Sequence, residues 1–304
     1  MKSTLGYTVV LTAMAAVAAA QPVSPRTFRY PGQHHSGGQS EHRNERLLTY
    51  VITGASQFGA VDLKSGTFIE IGPALPPDVG GGLVAGPGSS LLSLAFSGNL
   101  VAIHPAKGAV SVVGATGLAD CTTPIYLANC PNGLGSLDDA LFATDLANNL
   151  YSVNPKTGKL KLIGPTGIPA VPFVPLSMNS DGSVNVYDES LFSSHGKLYA
   201  NFATAELTDM GPSVKIAPGL YEINPRTGRA RFITSLTTGD GEPAIGLTSI
   251  VEVEGTVYGF RAATNEVVTL DLRTGKTSTV SDLSLPEGTP VAGATPVNPS
   301  EGHR

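Results

Sequence analysis

Beyond residue 46 the chain is written in short apolar runs of about five to seven residues, separated by breaks rich in glycine, proline and asparagine. NLYSV (149–153), GLYEI (219–223) and EVVTL (266–270) alternate apolar and polar positions with the two-residue period of a half-buried strand. Comparable runs stand after breaks: TFIEIG (67–72), KLKLIG (159–164) and RARFIT (229–234). Paired runs around a tight break predict antiparallel hairpins.

The breaks repeat. DLKSG (Asp62–Gly66), HPAKG (His104–Gly108), NPKTG (Asn154–Gly158), NPRTG (Asn224–Gly228) and DLRTG (Asp271–Gly275) align on their last glycine, with separations of 42, 50, 70 and 47 residues. Intervals of this size are those of propeller blades, with one insertion in the longest. Each break carries turn chemistry. An Asn, Asp or His opens it, proline in three of the five presets φ at the next position, and glycine takes the left-handed conformation that a Cβ resists.

Upstream of each hairpin lies a further strand (LLTYVIT, LLSLAF, ALFATD, KLYANFA, TVYGFRA). Before four of these comes a segment, in most copies of small residues: GGLVAGP, NGLGSL, AIGLTSI and, less clearly, VYDESLFSS. Four strands with the first poor in bulk make one blade, because the innermost strands crowd a common axis. The first copy lacks that strand, and TPVAGATPV (Thr289–Val297) has its character. The expected fold is therefore all-β, a five-bladed β-propeller of four-stranded antiparallel blades over residues 47–297, closed by a C-terminal strand that completes blade one beside LLTYVIT. The alternative is six blades, using a hairpin about Asn179-Ser180-Asp181-Gly182; without a second TG-type turn it reads as an insertion.

The repeated LYxxNPxTG…IG unit resembles the short repeats of secreted bacterial β-propellers of the broad NHL and YVTN-like kind. The resemblance covers about Leu47–Val297, concerns architecture alone, and implies scaffolds, binding proteins and some enzymes.

A four-stranded meander places the first-to-second and third-to-fourth connections at one end and all others at the opposite end. The first end has short turns and reads as structural. The second would collect Pro73–Gly80, Ala115–Pro131, Pro165–Asn185, Thr204–Gly219 and Thr237–Pro243, and long loops in an economical chain usually bind or catalyse. Counting back from the turn openers reaches Thr53, Ala95, Asp145 and Arg261 at that end. Asp145, Arg261, Asn132, Asp240 and Glu242 are the candidate ligand-binding residues; Asp145 and Arg261 could equally pair with each other or with loop backbone.

Residues 47–304 carry a formal −8 of the chain's −5, the remainder being positive. An acidic body lacks the basic footprint of a nucleic-acid partner and suits cations or neutral polar ligands. Cys121 and Cys130 bracket a short loop and read as a disulfide that pins it, contributing about 2 to 3 kcal/mol. Residues 1–20 read as a cleaved secretory signal, giving a secreted or periplasmic protein with no membrane span after cleavage; 21–46 as a flexible polar leader holding His34, His35 and His42; and 298–304 as a disordered tail. No motif for a metal, cofactor or phosphate is present: no HExxH, CxxC, GxSxG, Walker loop or calcium loop. No cofactor and no metal site are expected.

Two functions remain open. One is a binding propeller whose loop-rich end takes a small molecule, glycan or protein. The other is a carboxylate-dependent glycoside hydrolase or polysaccharide lyase, with Asp145 and either Asp240 or Glu242 as the pair across the axis. The absence of tryptophan counts against a sugar site.

Overall fold

The computed structural model describes residues 46–122, 129–168, 190–207, 214–262, 264–286 and 289–297. The signal, almost all of the leader, the tail and the hairpin expected about Asn179 lie outside them. Twenty strands form five four-stranded antiparallel sheets arranged as a ring. Blade one has β1 (Leu48–Thr53), β2 (Phe58–Asp62) and β3 (Thr67–Glu70), and its inner strand is β20 (Val291–Pro296). Blade two runs through β4 (Val84–Ala85), β5 (Leu91–Ala95), β6 (Asn99–Ile103) and β7 (Val110–Ala115). Blade three has β8 (Pro131–Leu137), β9 (Ala140–Asp145), β10 (Asn149–Val153) and β11 (Leu160–Pro165). Blade four has β12 (Ser190–Ser194), β13 (Lys197–Leu207), β14 (Val214–Ile223) and β15 (Ala230–Ser235). Blade five has β16 (Leu247–Val253), β17 (Thr256–Arg261), β18 (Glu266–Leu270) and β19 (Thr277–Asp282). The described residues form five blades, and the segment that the six-blade alternative would use lies outside them. The tail strand closes the ring as expected, pairing Val51 with Ala294 and Tyr50 with Thr295. No helix among the described residues is long and apolar enough to cross a membrane.

The described residues of the expected insertion Thr204–Gly219 continue β13 and β14, which stay paired from Leu198↔Ile223 out to Leu207↔Val214.

The core lies between blades. Among the described residues five apolar clusters exist, and each joins residues of two adjacent blades. Val51 and Val61 meet Phe260 and Val267 across the one–five seam; Phe58 meets Val101 across one–two; Leu94 meets Leu141 across two–three; Phe142 meets Leu198 across three–four; Leu220 meets Leu247 across four–five. At the axis the inner strands touch through glycine: a Cβ on Gly293 would lie 2.6 Å from the Gly82 carbonyl carbon. Small residues are thus what permits five inner strands to converge.

The repeated turn glycine has a second role. Gly158 has φ 73°, and its amide donates to the Asn154 carbonyl at 2.9 Å, while the Asn154 side chain accepts from Lys156 N. A Cβ there would also strike the Gly114 carbonyl of blade two at 2.5 Å. The same seat recurs as Gly228 against Gly164 and Gly108 against the Ile71–Gly72 link. The turn glycine of one blade therefore packs on the link at the end of the preceding blade's outer strand. Just before that point β7, β11 and β15 each carry a bulge, at Val113, Ile163 and Ile233, which pack against the seam clusters.

The disulfide joins Cys121 to Cys130. Its reach exceeds one loop: Cys121 N donates to Phe96 O of blade two, and Cys130 O accepts from Leu146 N of blade three.

Gly158→Ala is expected to cost clearly more than Gly167→Ala, although both positions have positive φ, because a Cβ on Gly167 meets nothing within 4 Å. The backbone strain common to both is about 1 to 3 kcal/mol. Chemical denaturation of the two variants measures the difference, and equal losses would remove the seam contact from this account.

Candidate functional site

The register expectation holds at the strand ends: Thr53, Ala95, Asp145 and Arg261 are the last residues of β1, β5, β9 and β17. In blade three this end is internally satisfied. Asp145 is 1% exposed, and its carboxylate accepts from Asn149 N at 2.9 Å, Asn149 Nδ2 at 2.9 Å and the Tyr151 hydroxyl at 2.7 Å. Burial first, and the bond to Asp145 second, push the Tyr151 phenol above the ordinary tyrosine range. Asp145 closes the β9–β10 turn from within.

In blade five the equivalent turn is held by charge. Arg261 Nη1 donates to Glu266 Oε2 at 3.1 Å, with side chains 14% and 18% exposed. Glu266 also accepts from the hydroxyls of Thr264 and Thr279. Arg261 Nε is buried with no partner among the described residues. The sequence reading did not name Glu266, yet the hairpin register sets it directly opposite Arg261.

Asp240 and Glu242 are exposed in the connection from β15 to β16. The Thr238 hydroxyl donates to Asp240 and is the first cause of its lowered pKa; the Arg261 guanidinium adds a smaller pull in the same direction. Asp240, Glu242 and Arg261 line one cleft of about 590 Å³ together with Thr238 and Thr279. Asn132, expected in a connection, is the second residue of β8 and half-buried. Three of the five candidates therefore converge on blade five, while Asp145 and Asn132 belong to blade three and do not line that cleft. A cleft with two exposed carboxylates, hydroxyls and a compensated guanidinium can accept hydrogen-bond donors, from cations or from a polyhydroxyl ligand.

The axis narrows to a cavity of about 10 Å³ among the inner strands, room for about one water. The axial depression formed by the described residues, about 370 Å³, opens instead among the short turns, beside Asp138, Ser194, His195 and Glu252. There His195 Nδ1 lies 2.8 Å from Ser194 Oγ and 3.7 Å from Glu252 Oε2. Both neighbours address the same ring nitrogen, so this is not the relay of a catalytic triad, which needs one partner on each.

No family model and no curated protein matches the chain. Among solved structures, a nidogen/laminin complex is similar at 13% identity over 83% of this chain and 98% of that chain, with a TM-score of 0.48. The glutaminyl cyclase of Myxococcus xanthus is similar at 13% identity, 83% and 76% coverage and a TM-score of 0.39. The virginiamycin B lyase of Staphylococcus aureus is similar at 13% identity, 78% and 70% coverage and a TM-score of 0.39. No function passes from them to this chain.

Asp145→Ala should destabilise the fold by about 2 to 3 kcal/mol, since it strands the Asn149 amide and the Tyr151 hydroxyl. Tyr151→Phe should cost about 1 kcal/mol. Because the phenol's pKa is raised on folding, this contribution is intact below the ordinary tyrosine value of about 10 and is lost as pH rises beyond it. Urea unfolding across that range should find wild type and Tyr151→Phe converging in alkali.

Proposed function

We propose that this chain is an exported β-propeller that binds a small molecule, glycan or protein at its loop-rich end, with the blade-five cleft as the contact surface. The observation that carries the reading is the convergence of Asp240, Glu242 and Arg261 on one cleft at that end. The two acids stand on a loop, and the Arg261–Glu266 pair beneath them fixes the wall. The seam-packed ring holds that wall rigid, and a preorganised polar site loses less entropy when it binds. Export rests on the apolar, alanine-ended N-terminus, and a buried disulfide suits an oxidising compartment.

The hydrolase or lyase reading needs two carboxylates facing one another. Asp145 has its oxygens engaged by Asn149 and Tyr151, so binding is the better supported of the two.

Thermal-shift measurements with calcium chloride and with a panel of neutral oligosaccharides test the proposal. At least one of these is expected to raise the melting temperature of wild type, and the rise should vanish in a D240N/E242Q variant that melts as wild type does unliganded. No shift with any probe, or a shift that survives in the variant, would contradict it.

A further inference from the structure

Nine of the fourteen lysines and arginines after residue 46 sit in or beside the hairpin turns of blades three, four and five. In blade three Lys156, Lys159 and Lys161 stand two, five and seven residues after the turn opener Asn154. Arg226, Arg229 and Arg231 take the same three places after Asn224 in blade four. Blade five repeats two of them, Arg273 and Lys276, after Asp271. All eight are exposed. Segments 154–165 and 224–235 contain no aspartate or glutamate.

The neutralising groups are few. Glu222 takes Arg231 at 2.7 Å and Lys197, the ninth cation, at 3.2 Å. The Asp271 carboxylate is held by the backbone amides of Arg273 and Thr274. None of Lys156, Lys159, Lys161, Arg226 or Arg229 has a carboxylate partner among the described residues. Lys197, Arg226, Arg229 and Arg231 also line one groove of about 530 Å³.

The fold strings these groups along one arc. Ala230, between Arg229 and Arg231, donates its amide to Thr166 just past the end of β11. Thr277, next to Lys276, donates to Thr237 just past the end of β15. Each cationic turn is therefore about one strand length, roughly 20 Å, from the next around the rim. Between the cationic turns stand exposed apolar side chains, Leu162 on β11 at 56% and Phe232 on β15 at 53% exposure.

Lysines can merely guard an exposed sheet edge against pairing. That account applies equally to every outer strand, yet blades one and two carry Thr67 and Ile69, and Ala109 and Ser111, at the five- and seven-residue positions. Blades one and two keep a single exposed lysine in each turn, Lys64 and Lys107, so the clusters of two or three cations per turn belong to blades three to five, which is more than edge protection needs.

We propose that the outer rim of blades three to five is a docking surface for a linear acidic polysaccharide, its carboxylates or sulfates on the cationic turns and its apolar ring faces on Leu162 and Phe232. A convex arc suits a flexible chain that can follow it, whereas a flat membrane meets few of the turns at once. A stiff duplex would gain nothing from the apolar side chains between charges. This surface adjoins the blade-five cleft at Lys276 but uses none of its carboxylates, so it does not depend on it.

The test is binding of two fluorescent probes, an oligogalacturonate and a sulfated dextran oligomer, to the full chain by anisotropy. At least one should bind saturably, the choice telling carboxylate from sulfate recognition, and affinity should fall by roughly tenfold to a hundredfold between about 50 and 200 mM salt. R226E/R229E, both exposed, should weaken binding at least about tenfold while melting as wild type does, and L162S/F232S should weaken it at constant salt slope. D240N/E242Q should leave it unchanged, which separates this surface from the cleft. Neither probe binding, indifference to R226E/R229E, or equal or tighter binding of a single-stranded oligonucleotide or of phosphatidylglycerol vesicles would overturn the proposal.

Discussion

The structure depends on where its apolar side chains meet. Each of the five clusters is shared by two neighbouring blades, so a blade removed from the ring would expose both of its faces to water. A fully buried Leu, Ile, Val or Phe contributes about 1.5 to 3 kcal/mol, and every seam holds several. No sheet here owns a core, and the last seam exists only when β20 returns to β1. Closure is therefore a condition of folding for all five blades.

The polar framework follows from the same constraint. Adjacent blades must approach within backbone contact, so the turn glycine of one sits on a carbonyl of the preceding blade, and backbone hydrogen bonds such as Leu160 N to Thr116 O and Ala230 N to Thr166 O link blade to blade. Near the axis Asn201 accepts from Ser190 N and donates to Leu247 O, tying blade four to blade five. Strand ends and turns come out as fixed positions. A rigid ring of this kind can present one chemistry at its loop-rich end and another around its rim.

Much of this was legible in the residues because the informative features are local. The five TG turns set the period, and alternation set the strands. The missing first strand, matched by the surplus TPVAGATPV, set the closure. Strand-end register reached Asp145 and Arg261 correctly. What escaped were the partners. Asn149 and Tyr151 satisfy Asp145, and Glu266 pairs with the Arg261 guanidinium, through hairpin register one strand further on, which composition does not weigh. The cysteine pair was visible, but the clamp between blades two and three depends on what each cysteine's backbone touches. The cationic rim was hidden by averaging: a net charge of −5 conceals lysines and arginines that recur at fixed places in three of five repeats.

The shared core predicts one cooperative unit, and native-state hydrogen exchange tests this most directly. Val51 and Ala294 at the closing seam should exchange with the same free energy and denaturant dependence as Ala143 and Tyr151 in blade three. Exchange of β1 and β20 through a separate, lower-energy opening that leaves blade three protected would contradict a core held in common by all five blades.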